Sequence, residues 1–263
     1  MEENKKFKLV TSKKTRYLLP NILTLAGVCL GISSIKFSID GNYTLAVILI
    51  LFAAILDALD GRIARMIKGT SEFGKELDSL TDFVSFGIAP VFILYFWELK
   101  TYGKLGWAIT LIYSVCCVLR LARFNLTKID EKQKWKNNFF EGVPSPAGGL
   151  LILMPLIYEL ADLNLRINIK DFTPYLTLAV AILLVSKVPT LALKKISISP
   201  KATVFLLLTI GIVIISLLFY TLETLLVFGI GYIISIPMSI YFYNKQNKEN
   251  LQKISDEDHE DIL

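Results

Sequence analysis

The sequence predicts an all-α protein: a polytopic membrane bundle of about eight transmembrane helices with both termini cytoplasmic. Three observations predict it. Of the 263 residues, 54% are hydrophobic and only 19% charged, with a mean hydropathy of +0.56, whereas soluble domains sit at roughly 45–50% apolar and about 25% charged. The apolar residues are gathered into blocks, and a helix needs about 20 of them to cross about 30 Å of hydrocarbon. Basic residues, finally, are divided very unevenly between alternate loops.

In chain order the blocks fall at 20–38, 43–60, 77–97, 103–123, 146–162, 174–193, 202–220 and 222–243. Asp40-Gly41-Asn42 punctuates the first turn and Pro174 opens the sixth block. The first block contains Pro20 and Asn21 and lacks a small-x-small cleavage site, so it is expected to remain as a span. An even number of spans places both termini on one side, and lysine and arginine decide which. With the N-terminus cytoplasmic, 23 of the 28 basic residues lie inside, and Lys36, Lys100, Lys104, Arg166 and Lys170 lie outside. The net charge of +5 follows from this topology and calls for no nucleic acid. Residues 1–19 form a basic segment whose end, Ser12 to Leu19, fits either an interfacial helix along the headgroups or a solvated tail. Residues 244–263 form a charged cytoplasmic tail.

The scarce residue types exclude whole chemistries. Cys29, Cys116 and Cys117 all lie in apolar blocks, which argues against a disulfide framework. His259 is the sole histidine and sits in the acidic tail, so imidazole metal sites and histidine-based catalysis are removed.

The chemistry concentrates at 57–82. Asp57 and Asp60 are three apart, with Gly61 and Ala64 continuing one helical face; Gly74, Asp78 and Asp82 step by four along the next helix. A turn around Lys68-Gly69-Thr70 folds the two helices antiparallel, so four carboxylates converge beside small residues. Like charges at a membrane repel strongly and require a cation. With oxygen ligands only, Mg²⁺ or Mn²⁺ fits best, and two ions roughly 3.5–4 Å apart suit phosphoryl transfer. On spacing alone, an ion-coupled transporter fits as well as an enzyme.

The full pattern, Asp57-x2-Asp60-Gly61-x2-Ala64-Arg65-x8-Gly74-x3-Asp78-x3-Asp82, matches at every fixed position the motif of the CDP-alcohol phosphotransferase family, which the chain therefore resembles. The resemblance implies that Asp57, Asp60, Asp78 and Asp82 surround a metal site of two ions, with Asp82 also the general base. It implies that Gly61, Arg65, Ser71 and Gly74 contact the CDP moiety of the lipid, as do Asn21 and Thr24 of Pro20-Asn21-Ile-Leu-Thr24. It also implies a homodimer. Residues 20–200 would be the six-helix core and 201–243 two additional helices of no recognised pattern.

Further stretches resemble the phosphatidylserine synthase branch: Asp82 to Pro90, Arg120 to Asn125, Phe140 to Gly149 and Val185 to Thr190. The implied substrates are CDP-diacylglycerol and L-serine, with glycerol 3-phosphate or inositol phosphate as alternative acceptors. Arg120 and Arg123, three apart at the end of the fourth span, suit the carboxylate of serine; they suit a positive-inside anchor equally. Pro144-Ser145-Pro146 reads either as a helix-starting turn or as a rim of the acceptor pocket.

The charge asymmetry sets a topology that single cysteines test in a background without the native three. In intact cells an impermeant thiol reagent labels cysteine at positions 100 and 166 and leaves 68 and 132 unlabelled; the reverse pattern inverts the orientation.

Overall fold

The computed structural model describes residues 13–67, 69, 71–126, 139–163, 169–191 and 200–260, and among them one short strand pair interrupts an otherwise helical chain. Helix α1 (Lys13–Ile39) runs without a break from the basic segment into the first span. Residues 1–12, Lys68 and Thr70 lie outside the described residues.

Gly41, at φ +79°, turns the chain, and Asn42 caps α2 (Tyr43–Met66) by accepting the Leu45 N–H at 3.1 Å. Helix α3 (Glu72–Asp82) is capped by Ser71, whose hydroxyl accepts the Gly74 N–H at 3.0 Å. It passes into a π-helical turn at Phe83–Ile88 and then into α4 (Ala89–Trp97), so Glu72 to Trp97 form one apolar rod. Helix α5 (Lys104–Leu126) returns across the bundle.

Prolines then set helix starts, where a missing N–H costs nothing. Pro146 opens α6 (Ser145–Ile152), Pro155 opens α7 (Met154–Leu160) and Pro174 opens α8 (Thr173–Val185). The fifth apolar block is thus two short helices broken at Leu153. The sixth block is shorter than its apolar run. Its helix stops at Val185 because Ser186 is extended and Pro189 disfavours helical geometry before it. The expected continuation to 193 is instead strand β2 (Pro189–Leu191), antiparallel to β1 (Phe139–Glu141) with Phe140 opposite Thr190. Helices α9 (Pro200–Phe219) and α10 (Thr221–Glu260) complete the chain.

Among the described residues, five helical stretches are long and apolar enough to cross a membrane: Leu18–Ile39, Tyr43–Met66, Glu72–Trp97, Lys104–Leu126 and Thr221–Asn247. Their outward faces carry Ile22, Ile32, Phe52, Leu111, Val115, Phe228 and many similar residues, a surface suited to lipid. Inside, α1 packs along α2, the π turn meets α1, α5 and α6, and α10 rests on α7 and β2. Phe86, Tyr113, Ile50, Leu153 and Leu184 are fully buried in this core. Small residues allow close approach: a Cβ on Gly87 would stand 2.9 Å from the Cys117 sulfur, and one on Gly149 3.3 Å from the Phe86 Cα.

Gly142 joins the strand pair to α6 at φ +77°, and a Cβ there would lie 2.8 Å from the Ser186 carbonyl and 3.0 Å from those of Leu183 and Leu184. Gly41 has similar backbone geometry with open space around it. Gly41→Ala therefore costs only the left-handed penalty of about 1 kcal/mol, while Gly142→Ala costs clearly more; melting temperatures of both purified variants in detergent measure the difference.

Candidate active site

The aspartates lie where α2 ends and α3 begins its return. Asp57 and Asp60 come from the last turns of α2 and Asp78 from α3, and each offers a carboxylate oxygen within 4.8 Å of the others'. Asp82, the last residue of α3, has its side chain within hydrogen-bonding range of Asp57. One of its oxygens, Oδ1, is buried and has no hydrogen-bond partner among the described residues. The donor set is oxygen throughout, with no thiolate or imidazole in the cluster, so these residues fit a hard divalent cation.

Helix α1 forms the second wall. Thr24 is buried and its hydroxyl is hydrogen-bonded to the Asp60 carboxylate, beside the Pro20 carbonyl at 3.0 Å. One helical turn earlier, Asn21 faces the start of α3: a Cβ on Gly74 would lie 3.3 Å from its Oδ1 and 3.1 Å from the Ser71 hydroxyl. Asn21, Ser71 and Gly74 thus share one corner, and the space beside Gly61 is open to 4 Å. Arg65 is exposed on the last turn of α2. Of the residues expected to meet CDP-lipid, the structure groups Asn21, Ser71 and Gly74, seats Thr24 on Asp60, and leaves Gly61 and Arg65 on the open side.

The two arginines of α5 have different surroundings. Arg120 is buried, donates from Nη1 to the Ser145 hydroxyl, stacks over the Phe124 ring at 5.8 Å and lies within electrostatic range of Asp82. Its Nε has no hydrogen-bond partner among the described residues. Arg123 instead donates to the carbonyls of Val185 at 2.7 Å, Ser186 at 3.0 Å and Leu184 at 3.4 Å, satisfying the end of α8. Ser145, from the Pro144-Ser145-Pro146 turn, is fully buried against Arg120.

The π turn that follows Asp82 was not visible in the sequence. Its displaced carbonyls are taken by α5: Tyr113 donates to Phe86 O at 3.0 Å and Ser114 to Gly87 O at 3.2 Å. From inside the turn, Ser85 donates to Gly27 O of α1 at 3.2 Å. Asn125 and Ser79, 3.0 Å apart, tie α5 to α3 one turn before Asp82. Such π turns are frequent at functional sites, and here one begins at the residue after Asp82.

Residues 17–241 match the model of the CDP-alcohol phosphatidyltransferase family, and the chain belongs to that family. A relative from Mycobacterium leprae, named CDP-diacylglycerol–serine O-phosphatidyltransferase, is 36% identical across 85% of this chain and 75% of its own. Relatives of the same name from Mycobacterium tuberculosis and Helicobacter pylori are 34% and 32% identical, over 85% and 76% of this chain and 78% and 82% of theirs.

The all-oxygen cluster makes binding of a divalent ion directly measurable. Mn²⁺ titrated into metal-stripped protein and followed by electron paramagnetic resonance binds the unmutated chain, and Asp57→Asn, Asp60→Asn and Asp78→Asn each weaken it at least about tenfold, or about 1.4 kcal/mol. Undiminished binding in all three variants places the ion elsewhere.

Proposed function

We propose that the protein transfers the phosphatidyl group of CDP-diacylglycerol to the hydroxyl of L-serine, giving phosphatidylserine and CMP. The observation that carries this reading is the convergence of Asp57, Asp60 and Asp78 beneath the Asn21, Ser71 and Gly74 corner, in a chain so similar to enzymes named for that reaction.

Asp57, Asp60, Asp78 and Asp82 would hold the divalent metal, Mg²⁺ or Mn²⁺ and two ions in this reading. When bound, the metal supplies charge neutralisation at the phosphates and the departing CMP. The chain's own groups do the rest. The open face at Gly61 lets the diphosphate approach the backbone, Gly74 keeps the corner beside Asn21 and Ser71 clear of a Cβ, and Arg65 offers a guanidinium to the diphosphate. Asn21, Thr24 and Ser71 orient the nucleotide from α1 and the α3 cap. Arg120 holds the serine carboxylate, while Arg123 positions α8 behind it. Asp82 takes the proton from the serine hydroxyl as that oxygen attacks the lipid-side phosphorus; the bond from this phosphorus to the CMP oxygen breaks, and CMP leaves.

The same reading extends to the membrane. The chain crosses eight times, with both termini and the aspartates at the cytoplasmic face and acyl chains remaining in the bilayer. Residues 20–200 form the catalytic six-helix core, 201–243 two added spans, 1–19 a basic headgroup-facing segment and 244–263 a cytoplasmic tail. The functional unit is a homodimer. The strongly one-sided distribution of lysine and arginine supports the orientation.

The reaction is tested by CMP release from CDP-diacylglycerol with candidate alcohols supplied singly to purified protein. Serine supports release, EDTA abolishes it, and Mg²⁺ or Mn²⁺ restores it; faster release with glycerol 3-phosphate or inositol phosphate reassigns the acceptor. Asp82→Asn lowers the rate at saturating substrates by about 10²–10⁴-fold, the usual contribution of a general base, with the KM for CDP-diacylglycerol little changed. Near-normal turnover in that variant removes Asp82 from proton transfer.

A further inference from the structure

The last helix brings one polar group toward the site. Helix α10 docks closely on the bundle: a Cβ on Gly229 would stand 2.2 Å from the Met154 sulfur, and the Phe139 and Tyr243 rings meet edge to face at 5.3 Å. This docking turns the Tyr232 ring against the core and buries its hydroxyl beside Thr190 of β2. The Thr190 hydroxyl gives its proton to Gly142 O at 2.8 Å, so it faces the phenol as an acceptor only. The Tyr232 hydroxyl makes no well-formed hydrogen bond to any described residue. Arg120 lies within electrostatic range of it, as it does of Asp82.

Three buried polar atoms are therefore unpaired among the described residues, Asp82 Oδ1, Arg120 Nε and the Tyr232 hydroxyl, and the Arg120 guanidinium lies within electrostatic range of the other two groups. Buried polar groups are seldom left so, and several together mark the outline of a missing polar partner. Their chemistry is specific: a carboxylate oxygen that accepts, a guanidinium N–H that donates, and a phenol that donates. Free serine presents the complement, a hydroxyl proton for Asp82 and carboxylate oxygens for the other two.

We propose that Tyr232 is a specificity-determining residue of the acceptor site, its hydroxyl donating a hydrogen bond to the serine carboxylate held by Arg120. This rests on serine being the acceptor. It gives the added helices a role in choosing the alcohol, because the recognising phenol comes from outside the six-helix core.

Tyr232→Phe removes only the hydroxyl and keeps the packing. Steady-state CMP release by the full-length variant should show a KM for serine raised about tenfold, with kcat within about twofold and the KM for CDP-diacylglycerol unchanged. Serinamide, which lacks the carboxylate, should react equally with both proteins, so preference for serine over serinamide falls about tenfold. An unchanged serine KM overturns the proposal, as does an equal loss with both acceptors, which marks a packing role. Serine-dependent CMP release by the unmutated protein separates the two levels: if serine supports none, the serine reading falls and the proposal with it; if serine is used normally and only the variant fails to differ, the proposal alone falls.

Discussion

Carboxylates whose oxygens lie within 4.8 Å of one another are held against their own repulsion. Two unit charges about 5 Å apart repel by about 3 kcal/mol even at an effective dielectric of about 20, and several such pairs act here. Much of the surrounding architecture bears on that constraint. Thr24 lends a donor to Asp60 from α1, the Ser71 cap fixes the start of α3, and the Ser79–Asn125 pair fixes its later turns. A dication placed among such oxygens would convert the repulsion into attraction, so the cluster's geometry suits a hard cation.

A second consequence concerns how Asp82 differs from its neighbours. Asp57, Asp60 and Asp78 sit on regular helix, whereas Asp82 stands at the change to π geometry. The wider turn leaves carbonyls misaligned for ordinary helix bonds, and those of Phe86 and Gly87 are met by hydroxyls of α5. In a membrane, where water cannot serve these carbonyls, such hydroxyls are needed to tolerate the irregularity. The π turn therefore couples α5, which carries Arg120, to the helix that carries Asp82. Asp82 and Arg120 are positioned through one shared set of bonds.

Much of this was legible before any coordinates. The apolar blocks located the helices because crossing a bilayer constrains length and composition, and the aspartate spacing brought the carboxylates of Asp57, Asp60 and Asp78 together because helical periodicity is local. The rest depends on partners distant in sequence. The π turn needs Tyr113 and Ser114, 27 residues away, and no local pattern near Phe83 announces it. The strand pair needs residues 139 and 191 to meet, and α8 ends early where Pro189 lies inside an apolar run that reads as helix. Arg120 and Arg123 look equivalent in sequence, yet one turns inward to Ser145 and the other is taken by the carbonyls of α8. Tyr232 carries a weaker signal, a hydroxyl-bearing ring in the middle of the glycine- and isoleucine-rich stretch 229–236 rather than at the end of its span, where Tyr241 and Tyr243 lie.

The added helices sharpen that last point. Lipid chains are as apolar as leucine, so a helix gains little from burying apolar surface against another within the bilayer; close packing and polar bonds must hold it. Helix α10 has both, in the Gly229–Met154 contact, the Phe139–Tyr243 ring pair and the Ser216–Thr224 bond at 2.5 Å that links it to α9. These contacts flank Tyr232 along the helix, above and below, and fix its rotation about the helix axis. An inward phenol with an unmatched hydroxyl costs free energy, which these contacts and the packing of its ring against the core offset. The contacts that hold α10 to the bundle therefore also hold this unmatched hydroxyl inside the protein.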